Sequence, residues 1–163
     1  MTTRATAAAY RALVPTERSE RTATGLSPLA VAGLAVLAVP RAVLHDLDAA
    51  GPALNAVLVF APPVVWVLVV LALRVPSPMR ALLAVGLVYG LLLAVTHQVL
   101  WSESFTEEPT LGGNLVGVLD PGTETVLLRA FAFVSSVVTG TVVGALAGAV
   151  ASLLARLLPR RDR

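Results

Sequence analysis

Residues 126–158 read VLLRAFAFVSSVVTGTVVGALAGAVASLLARLL, and this stretch decides the fold. It is longer than the roughly 20 apolar residues that a helix needs to cross a bilayer. Side chains four residues apart lie on one face of a helix, and small side chains there let a second membrane helix approach closely. The stretch therefore predicts a membrane span with a glycine zipper for tight packing. Its small residues recur at every fourth position: Ser136, Gly140, Gly144, Gly148 and Ser152.

A second ladder of small residues lies in the run 81–101 and consists of Gly86, Gly90 and Ala94. Two such ladders are natural partners, because each removes side-chain bulk from the contact. We therefore expect the third and fourth spans to pack against each other and form the core of the bundle. Self-association of the whole protein is the alternative use of the same face, since glycine-rich faces serve both purposes.

The composition of the chain is typical of an integral membrane protein. Apolar residues make up 56% of the 163 residues and charged residues 13%, about half the share found in soluble proteins. The chain has no cysteine, which excludes disulfides and thiolate metal sites. All 12 basic residues are arginine, a bias that favours a GC-rich bacterial genome. The arginines flank the apolar runs instead of sharing one soluble face, so the chain is not expected to bind nucleic acid.

Four long apolar runs predict an all-α, integral membrane four-helix bundle of two helical hairpins. The spans are expected at residues 28–44, 52–73, 81–101 and 126–156, within a membrane domain of residues 27–158. A polar N-terminal tail, residues 1–26, precedes them, an outer loop of residues 102–123 joins the last two, and a basic tail, residues 159–163, follows. A secretory signal peptide is the alternative for the first run, but no small-x-small cleavage site adjoins it.

The distribution of arginine predicts the orientation in the membrane. With four spans, both tails and the turn at residues 74–80 lie on one side, and that side carries ten of the 12 arginines. The opposite side carries Arg41 and Arg129 together with seven of the ten acidic residues. The positive-inside rule then places both termini in the cytoplasm of a multi-pass protein of the plasma membrane.

Prolines interrupt two of the predicted spans. Pro40 lies near the outer end of the first span and should bend its last turn. Pro62 and Pro63 lie in the middle of the second span, where they remove two amide donors from the helix. We expect a kink at these two prolines, packed against neighbouring helices that satisfy the freed carbonyl groups.

Polar and charged side chains of the kinds that bind ligands or carry out chemistry cluster at the outer ends of the spans. If the first helix continues past its apolar run, Arg41, His45 and Asp48 share one of its faces, at i, i+4 and i+7. The third span brings His97 to the same depth. The predicted cluster at this outer face has seven members: Arg41, His45, Asp46, Asp48, His97, Glu103 and Arg129.

Arg129 lies one turn inside the fourth span. It precedes Gly140 by eleven residues, about three helical turns, so it should share the small-residue face and point into the bundle. A charge at membrane depth is costly and usually pairs with an opposite charge. We therefore expect it to pair with one of four acids: Glu103, Asp46, Asp48 or, locally, Glu124.

Three interpretations of the outer cluster stay open at this point. The favoured one is a set of ion pairs that locks the helix ends in register. A weaker one is a cation or metal site built from His45, His97 and Glu103, because imidazole and carboxylate suit such ions. The two histidines have no ligand-type spacing, which weakens that reading. A third is a pH-responsive role for the two histidines.

The sequence favours a non-enzymatic role. It contains no P-loop, no Gly-x-Ser-x-Gly and no His-Glu-x-x-His, and no cofactor is expected. No acidic residue lies in the middle of a span, which argues against a small multidrug antiporter. We expect a protein embedded in the lipid bilayer that acts as a homo-oligomer or as an accessory subunit of a larger membrane complex. The alternative is a small transporter or channel for an ion or small solute, with a polar site at its outer face.

Overall fold

The computed structural model describes residues 24–157 apart from Thr106, so the expectations for residues 1–23 of the N-terminal tail and for the basic tail at residues 159–163 lie outside the described residues. The described part of the chain contains no strand and forms six α-helices with one short 3₁₀ turn, Gly113–Leu115. The helices are α1 Pro28–Val36, α2 Val39–Asp46, α3 Pro52–Ala72, α4 Pro78–Val99, α5 Trp101–Ser104 and α6 Pro121–Leu157.

Four helical segments are long and apolar enough to cross a membrane. They are α1 with α2, then α3, α4 and α6. This confirms the predicted all-α fold with four candidate spans and supports a multi-pass membrane protein. The fourth span, α6, begins five residues before its apolar run, and the connection from α4 to α6 covers residues 100–120 and contains the helical turn α5.

Each of the four segments begins at a proline. Pro28, Pro52, Pro78 and Pro121 stand at the first helical position, where a missing N–H costs nothing and the fixed φ angle suits a helix. Ser27 caps the first segment, because its Oγ accepts a hydrogen bond of 3.2 Å from the amide of Ala30. These signals explain why the segments start where they do.

The α4 and α6 backbones meet directly. A Cβ atom added to Gly86 would lie 2.5 Å from the carbonyl oxygen of Gly140 and 2.6 Å from Cα of Gly144. One added to Gly90 would lie 2.8 Å from the carbonyl oxygen of Val137. Real Cβ atoms essentially never come within 3.0 Å of another heavy atom, so no side chain fits at these positions without backbone movement. The two small-residue ladders therefore face each other in the contact between α4 and α6.

The contact extends along the α6 ladder from Ser136 to Gly148. Ser136 is 5% exposed, and its hydroxyl donates to the carbonyl oxygen of Ala132 at 2.7 Å, so the buried group is satisfied within its own helix. A Cβ atom added to Gly148 would lie 3.1 Å from Cα of Met79. The contact between α4 and α6 thus runs along most of the length of α4, and it is the most extensive between any two helices of the described chain.

The first span is broken before Pro40, as predicted. The amide of Ala38 bonds to the carbonyl oxygen of Ala35 at 3.1 Å, in a tight turn, instead of continuing the α-helix. The carbonyl of Leu34 therefore loses its intrahelical donor. The indole N–H of Trp66, from α3, donates to that oxygen at 2.7 Å. Trp66 is fully buried, and its hydrogen bond holds the second span, α3, against the break in the first span.

The two adjacent prolines of α3 lie inside a helix that continues to Ala72. Pro62 is buried and Pro63 is half-buried. The kink expected at these residues stays a prediction. Much of the rest of α3 is exposed apolar surface, as a lipid-facing span requires, and α4 is the most buried of the four segments and contacts each of the others.

Candidate functional site

A polar cavity of about 660 Å³ opens at the end of the bundle where α2 and α4 end. Ligand pockets for small molecules usually enclose about 300–1,000 Å³, so this cavity is large enough for one. We name it the His97 cavity. Its polar lining comes from α2, α4, α5, the turn after α2 and one face of α6, and it includes His45, Asp46, Asp48, His97, Glu103 and Ser135.

Asp46 and His97 form the central polar contact of this cavity. Oδ2 of Asp46 lies 2.7 Å from Nδ1 of His97. The Asp46 side chain is only 4% exposed and that of His97 is 28% exposed. An ionised carboxylate has no proton to give, so Nδ1–H of the imidazole is the donor when Asp46 is ionised. This contact joins α2 to α4 across residues distant in the sequence.

The remaining charged groups that line the cavity are acidic. Asp48 and Glu103 are exposed at its wall, and none of the lining residues is an arginine. Two carboxylates near an open surface and a third paired to an imidazole outnumber the one guanidinium beside this wall, that of Arg129 over the Trp101 ring, so the cavity has a negative balance of charge. The arrangement therefore suits a ligand that carries a positive charge.

The helix expected to align Asp48 with Arg41 and His45 is shorter than that alignment needs. α2 ends at Asp46, and Asp48 adopts a φ angle of +49°, in the left-handed region. Asp48 therefore reaches the cavity from the turn that follows α2 and not from the helix itself. The predicted common helical face of these three residues is therefore wrong, although His45 and Asp48 do line the same cavity.

Trp101 forms an aromatic wall of the His97 cavity. Its side chain is 5% exposed, and the indole Nε1 is buried without a hydrogen-bond partner among the described residues. The Phe105 ring packs against it with centroids 5.0 Å apart. A buried N–H without an acceptor is costly, so it marks a place where a ligand atom or a water molecule can accept a bond.

Arg129 does not form the ion pair that its position in the sequence predicts. Within residues 24–157 no acidic side chain lies within 4 Å of its guanidinium, and that prediction is wrong. The guanidinium instead lies over the Trp101 ring, 4.8 Å from the centroid. Stacking on an aromatic face stabilises a cation without an opposite charge. The side-chain amide of Gln98 donates to the Arg129 backbone carbonyl at 3.1 Å and ties α4 to α6.

Glu124, the local alternative for that pair, has a different partner. Its carboxylate Oε1 accepts a hydrogen bond from the backbone amide of Leu111. This bond fastens the loop after α5 to the first turn of α6. The carboxylate therefore bonds to the loop and does not pair with Arg129.

Arg41 does not line the His97 cavity. It lies one turn before His45 in α2, and its side chain lines a smaller cavity of about 180 Å³ between α2, α3, α4 and α6. We name this second space the Arg41 cavity. Trp66, Tyr89 and Thr139 also line it. The structure therefore places five of the seven predicted residues at the His97 cavity, Arg41 at a separate cavity and Arg129 over the Trp101 ring.

The weak metal candidate receives no support from the geometry. In the part of the chain that the structure describes, no group of three or more His, Cys, Asp or Glu side chains converges in a way that could hold a metal ion. His45, His97 and Glu103 line one cavity but do not form such a group.

Two further residues of the His97 cavity wall, Phe131 and Ser135, were not predicted from the sequence. Phe131 and Ser135 line the His97 cavity together with Ser136 of the glycine zipper. The only signal in the sequence is the adjacent pair of serines.

Comparison of the chain with models of protein families, with characterised proteins and with solved structures finds no match.

Proposed function

We propose that this chain is a non-enzymatic, multi-pass protein of the plasma membrane that binds a small organic cation in the His97 cavity. It acts as a homo-oligomer or as an accessory subunit of a larger membrane complex. The arginine distribution supports an orientation with both termini in the cytoplasm, because ten of the 12 arginines then lie inside. In that orientation the His97 cavity opens to the outside.

One observation carries this proposal: the cavity combines an acidic wall with an unpartnered, buried indole N–H. Asp48 and Glu103 supply negative charge, and the Phe131 ring supplies an aromatic face, while the Arg129 guanidinium already lies over the Trp101 ring. Carboxylates and aromatic faces together favour an organic cation over an anion. The Trp101 N–H favours a ligand that also carries a hydrogen-bond acceptor.

Passage of a cation through the membrane is the second candidate function. A second cavity inside the bundle supports it, since a route needs space beyond the outer site. Arg41 lines that second cavity, however, and a guanidinium repels a cation. Binding at the outer face is therefore the better-supported role.

The test is a titration of the full-length protein in nanodiscs with choline, a quaternary ammonium whose hydroxyl oxygen accepts a hydrogen bond, measured by isothermal calorimetry. We expect saturable binding that weakens by about tenfold in Asp46→Asn and Glu103→Gln, the loss that one charge contact produces. Glu107→Gln is the matched control, because this exposed acid does not line the cavity, and its binding should match that of the wild type.

Binding that is equally strong in Asp46→Asn, Glu103→Gln and Glu107→Gln would contradict the proposal, as would no binding at all. Flux of the same cation into proteoliposomes separates the two candidate functions. Binding without flux supports the first, and flux that Asp46→Asn abolishes supports transport.

A further inference from the structure

Arg41 is a cation near the middle of the membrane without an opposite charge. Its cavity is also lined by Val59 and Pro63, which lie about 10 to 17 Å along the helix axis from the start of α3 at Pro52. The hydrocarbon core of a bilayer is about 30 Å thick, so the cavity lies near its midplane. Within residues 24–157 Arg41 forms no hydrogen bond and no ion pair, and its Nε is buried. A charge in such a place is costly unless a group of opposite charge neutralises it.

All four spans contribute side chains to the Arg41 cavity, so the cavity lies inside the bundle. Arg41 comes from the first span, Pro63 from the second, Tyr89 from the third and Thr139 from the fourth. Charged side chains that face the interior of a membrane bundle typically mark a site or a route for an ion. Because the charge here is positive, the ion that fits is an anion.

Two interrupted helices meet at this cavity. The first span is interrupted between Val36 and Val39, and Ala38, the N-cap residue of α2, lines the cavity. The amino end of α2 therefore faces the cavity, and the helix dipole is positive at that end. The second span contributes Pro63 of its proline pair. Membrane transporters bind ions in the same way, near the midplane between interrupted helices whose amino ends face the anion.

Two hydroxyl groups in the cavity can donate hydrogen bonds to an anion. Tyr89 and Thr139 line the space, and neither side chain forms a hydrogen bond within the part of the chain that the structure describes. Tyr89 is only 5% exposed, so bulk water does not replace the missing partner of its hydroxyl group. A hydroxyl group that has no acceptor in the protein is free to donate to a bound anion.

The size and the charge of the cavity select the anion. Its volume of about 180 Å³ is below the roughly 300 Å³ at which pockets for organic ligands begin, so it suits an inorganic ion. One guanidinium neutralises one negative charge, and a divalent anion would leave an unpaired charge near the midplane. The carboxylates of Asp46, Asp48 and Glu103 line the His97 cavity and do not occupy the guanidinium.

We propose that the Arg41 cavity binds one small monovalent inorganic anion such as chloride. The anion contacts the Arg41 guanidinium, accepts hydrogen bonds from the Tyr89 and Thr139 hydroxyl groups and is stabilised by the amino end of α2. The His97 cavity lies one helical turn further out, since His45 follows Arg41 on α2 by four residues, and it is the way to water. The acidic wall of the His97 cavity repels a divalent anion more strongly than a monovalent one.

The test is iodide quenching of tryptophan fluorescence in the full-length protein in nanodiscs, with gluconate keeping the ionic strength constant. The chain has two tryptophans, of which Trp66 lines the Arg41 cavity and Trp101 lines the His97 cavity. In Trp101→Phe the fluorescence therefore comes from Trp66 alone. We expect quenching by iodide that saturates as one site fills, and chloride, which does not quench, should reverse it by competition.

The arginine is tested by substitution in the Trp101→Phe protein. Arg41→Gln should raise the dissociation constant of iodide by about tenfold, as loss of one charge-assisted contact does. Arg80→Gln is the matched control, because this exposed arginine of α4 lines neither the Arg41 cavity nor the His97 cavity. The dissociation constant should be unchanged in the control.

Thr139→Val keeps the proposal testable if Arg41→Gln does not fold. It removes one hydroxyl group of nearly the same volume and should raise the dissociation constant by about fivefold, the loss of one hydrogen bond. Thr141→Val is its matched control, because the Thr141 hydroxyl bonds to the Val137 carbonyl of its own helix and lies outside the cavity. This control should leave the dissociation constant unchanged.

Three outcomes would overturn the proposal. The first is quenching that rises linearly with iodide and never saturates, which would mean that water or the carbonyl groups freed by Pro62 and Pro63 solvate the guanidinium. The second is saturable quenching with the same dissociation constant in each variant and its matched control. The third is competition by sulfate at lower concentration than by chloride, which would exclude selection of a monovalent anion.

Discussion

The fourth span presents one face to α4 and another to α3, and the two faces are opposite in character. Toward α4, the glycines let the backbones touch, so that a Cβ on Gly86 would lie 2.6 Å from Cα of Gly144. Toward α3, large side chains such as Val143 and Leu146 leave an apolar groove of about 640 Å³. Lipid tails are as apolar as leucine, so apolar surface alone does not close two membrane helices together. Small residues close one face, and larger side chains leave the other open.

The largest effect is expected from filling the closed face. Gly144→Leu places a side chain where a Cβ would already lie 2.7 Å from Cα of Gly86, so α4 and α6 must separate. We expect destabilisation of more than about 3 kcal/mol, at or beyond the upper end of overpacking in a core. Thermal unfolding in nanodiscs, followed by intrinsic tryptophan fluorescence, measures it.

Gly33→Leu is the matched control for this variant. Gly33 lies in α1, and nothing lies within 4 Å of a Cβ built on it. Its free energy of unfolding should stay within about 0.5 kcal/mol of the wild-type value or be slightly higher, because leucine favours a helix. Similar stability of Gly144→Leu and Gly33→Leu would show that the α4–α6 contact does not hold the bundle together.

A smaller effect is expected where α3 is anchored. Trp66→Phe leaves the buried Leu34 carbonyl without its donor, a change that costs about 1–3 kcal/mol, in addition to the lost ring volume. Trp101→Phe is the control, because the Trp101 N–H has no partner in the described chain and only the stacking of Arg129 is weakened. Chemical denaturation of both variants measures the difference. Equal losses would mean that the hydrogen bond to Leu34 does not anchor α3.

The polar contact at the His97 end should show an intermediate coupling. A double-mutant cycle of Asp46→Ala and His97→Ala is expected to give a coupling of about 1 kcal/mol, since the two side chains form one hydrogen bond at 2.7 Å. The comparison cycle, Arg129→Ala with Glu103→Ala, should give no coupling, because these side chains do not pair. Coupling between Arg129 and Glu103, with none between Asp46 and His97, would contradict our description of the site.

The smallest effect is expected at the start of α6. The Thr123 hydroxyl and then the Thr123 amide donate to the Asp120 carboxylate, and these bonds lower the pKa of Asp120 below its ordinary value of 3.8. The pKa is lowered by folding, so the ionised cap stabilises the protein above pH 3.8 and this contribution disappears as the pH falls through the lower value. Wild type should therefore exceed Asp120→Ala in stability at pH 6, and the difference should shrink below pH 3.8. A difference that grows in acid would contradict this sign.

The four spans and the α4–α6 contact were predictable because each depends on local patterns in the sequence. Hydropathy located the four segments, and the spacing of Gly86 and Gly90 against Gly140 and Gly144 indicated which two pack together. The break before Pro40 followed from the missing amide of proline. These features need only the period of the helix and the chemistry of single residues.

The site was only partly predictable because it depends on how helices meet. His45, Asp46, Asp48, His97 and Glu103 were expected near one another, and they line one cavity. The contacts of the individual side chains were not predictable, since the Arg129 guanidinium lies over the Trp101 ring and pairs with none of the four acids that were expected. The Arg41 cavity was not predictable either, because the direction of a long side chain depends on the space that Trp66 and Tyr89 leave beside it.

Native mass spectrometry of the protein purified gently from its own membranes tests the central proposal most directly. We expect a defined homo-oligomer or a complex with a larger membrane protein, carrying the mass of one small cation per chain that is lost in Asp46→Asn. A monomer without bound mass, or a bound mass that Asp46→Asn keeps, would contradict the proposal.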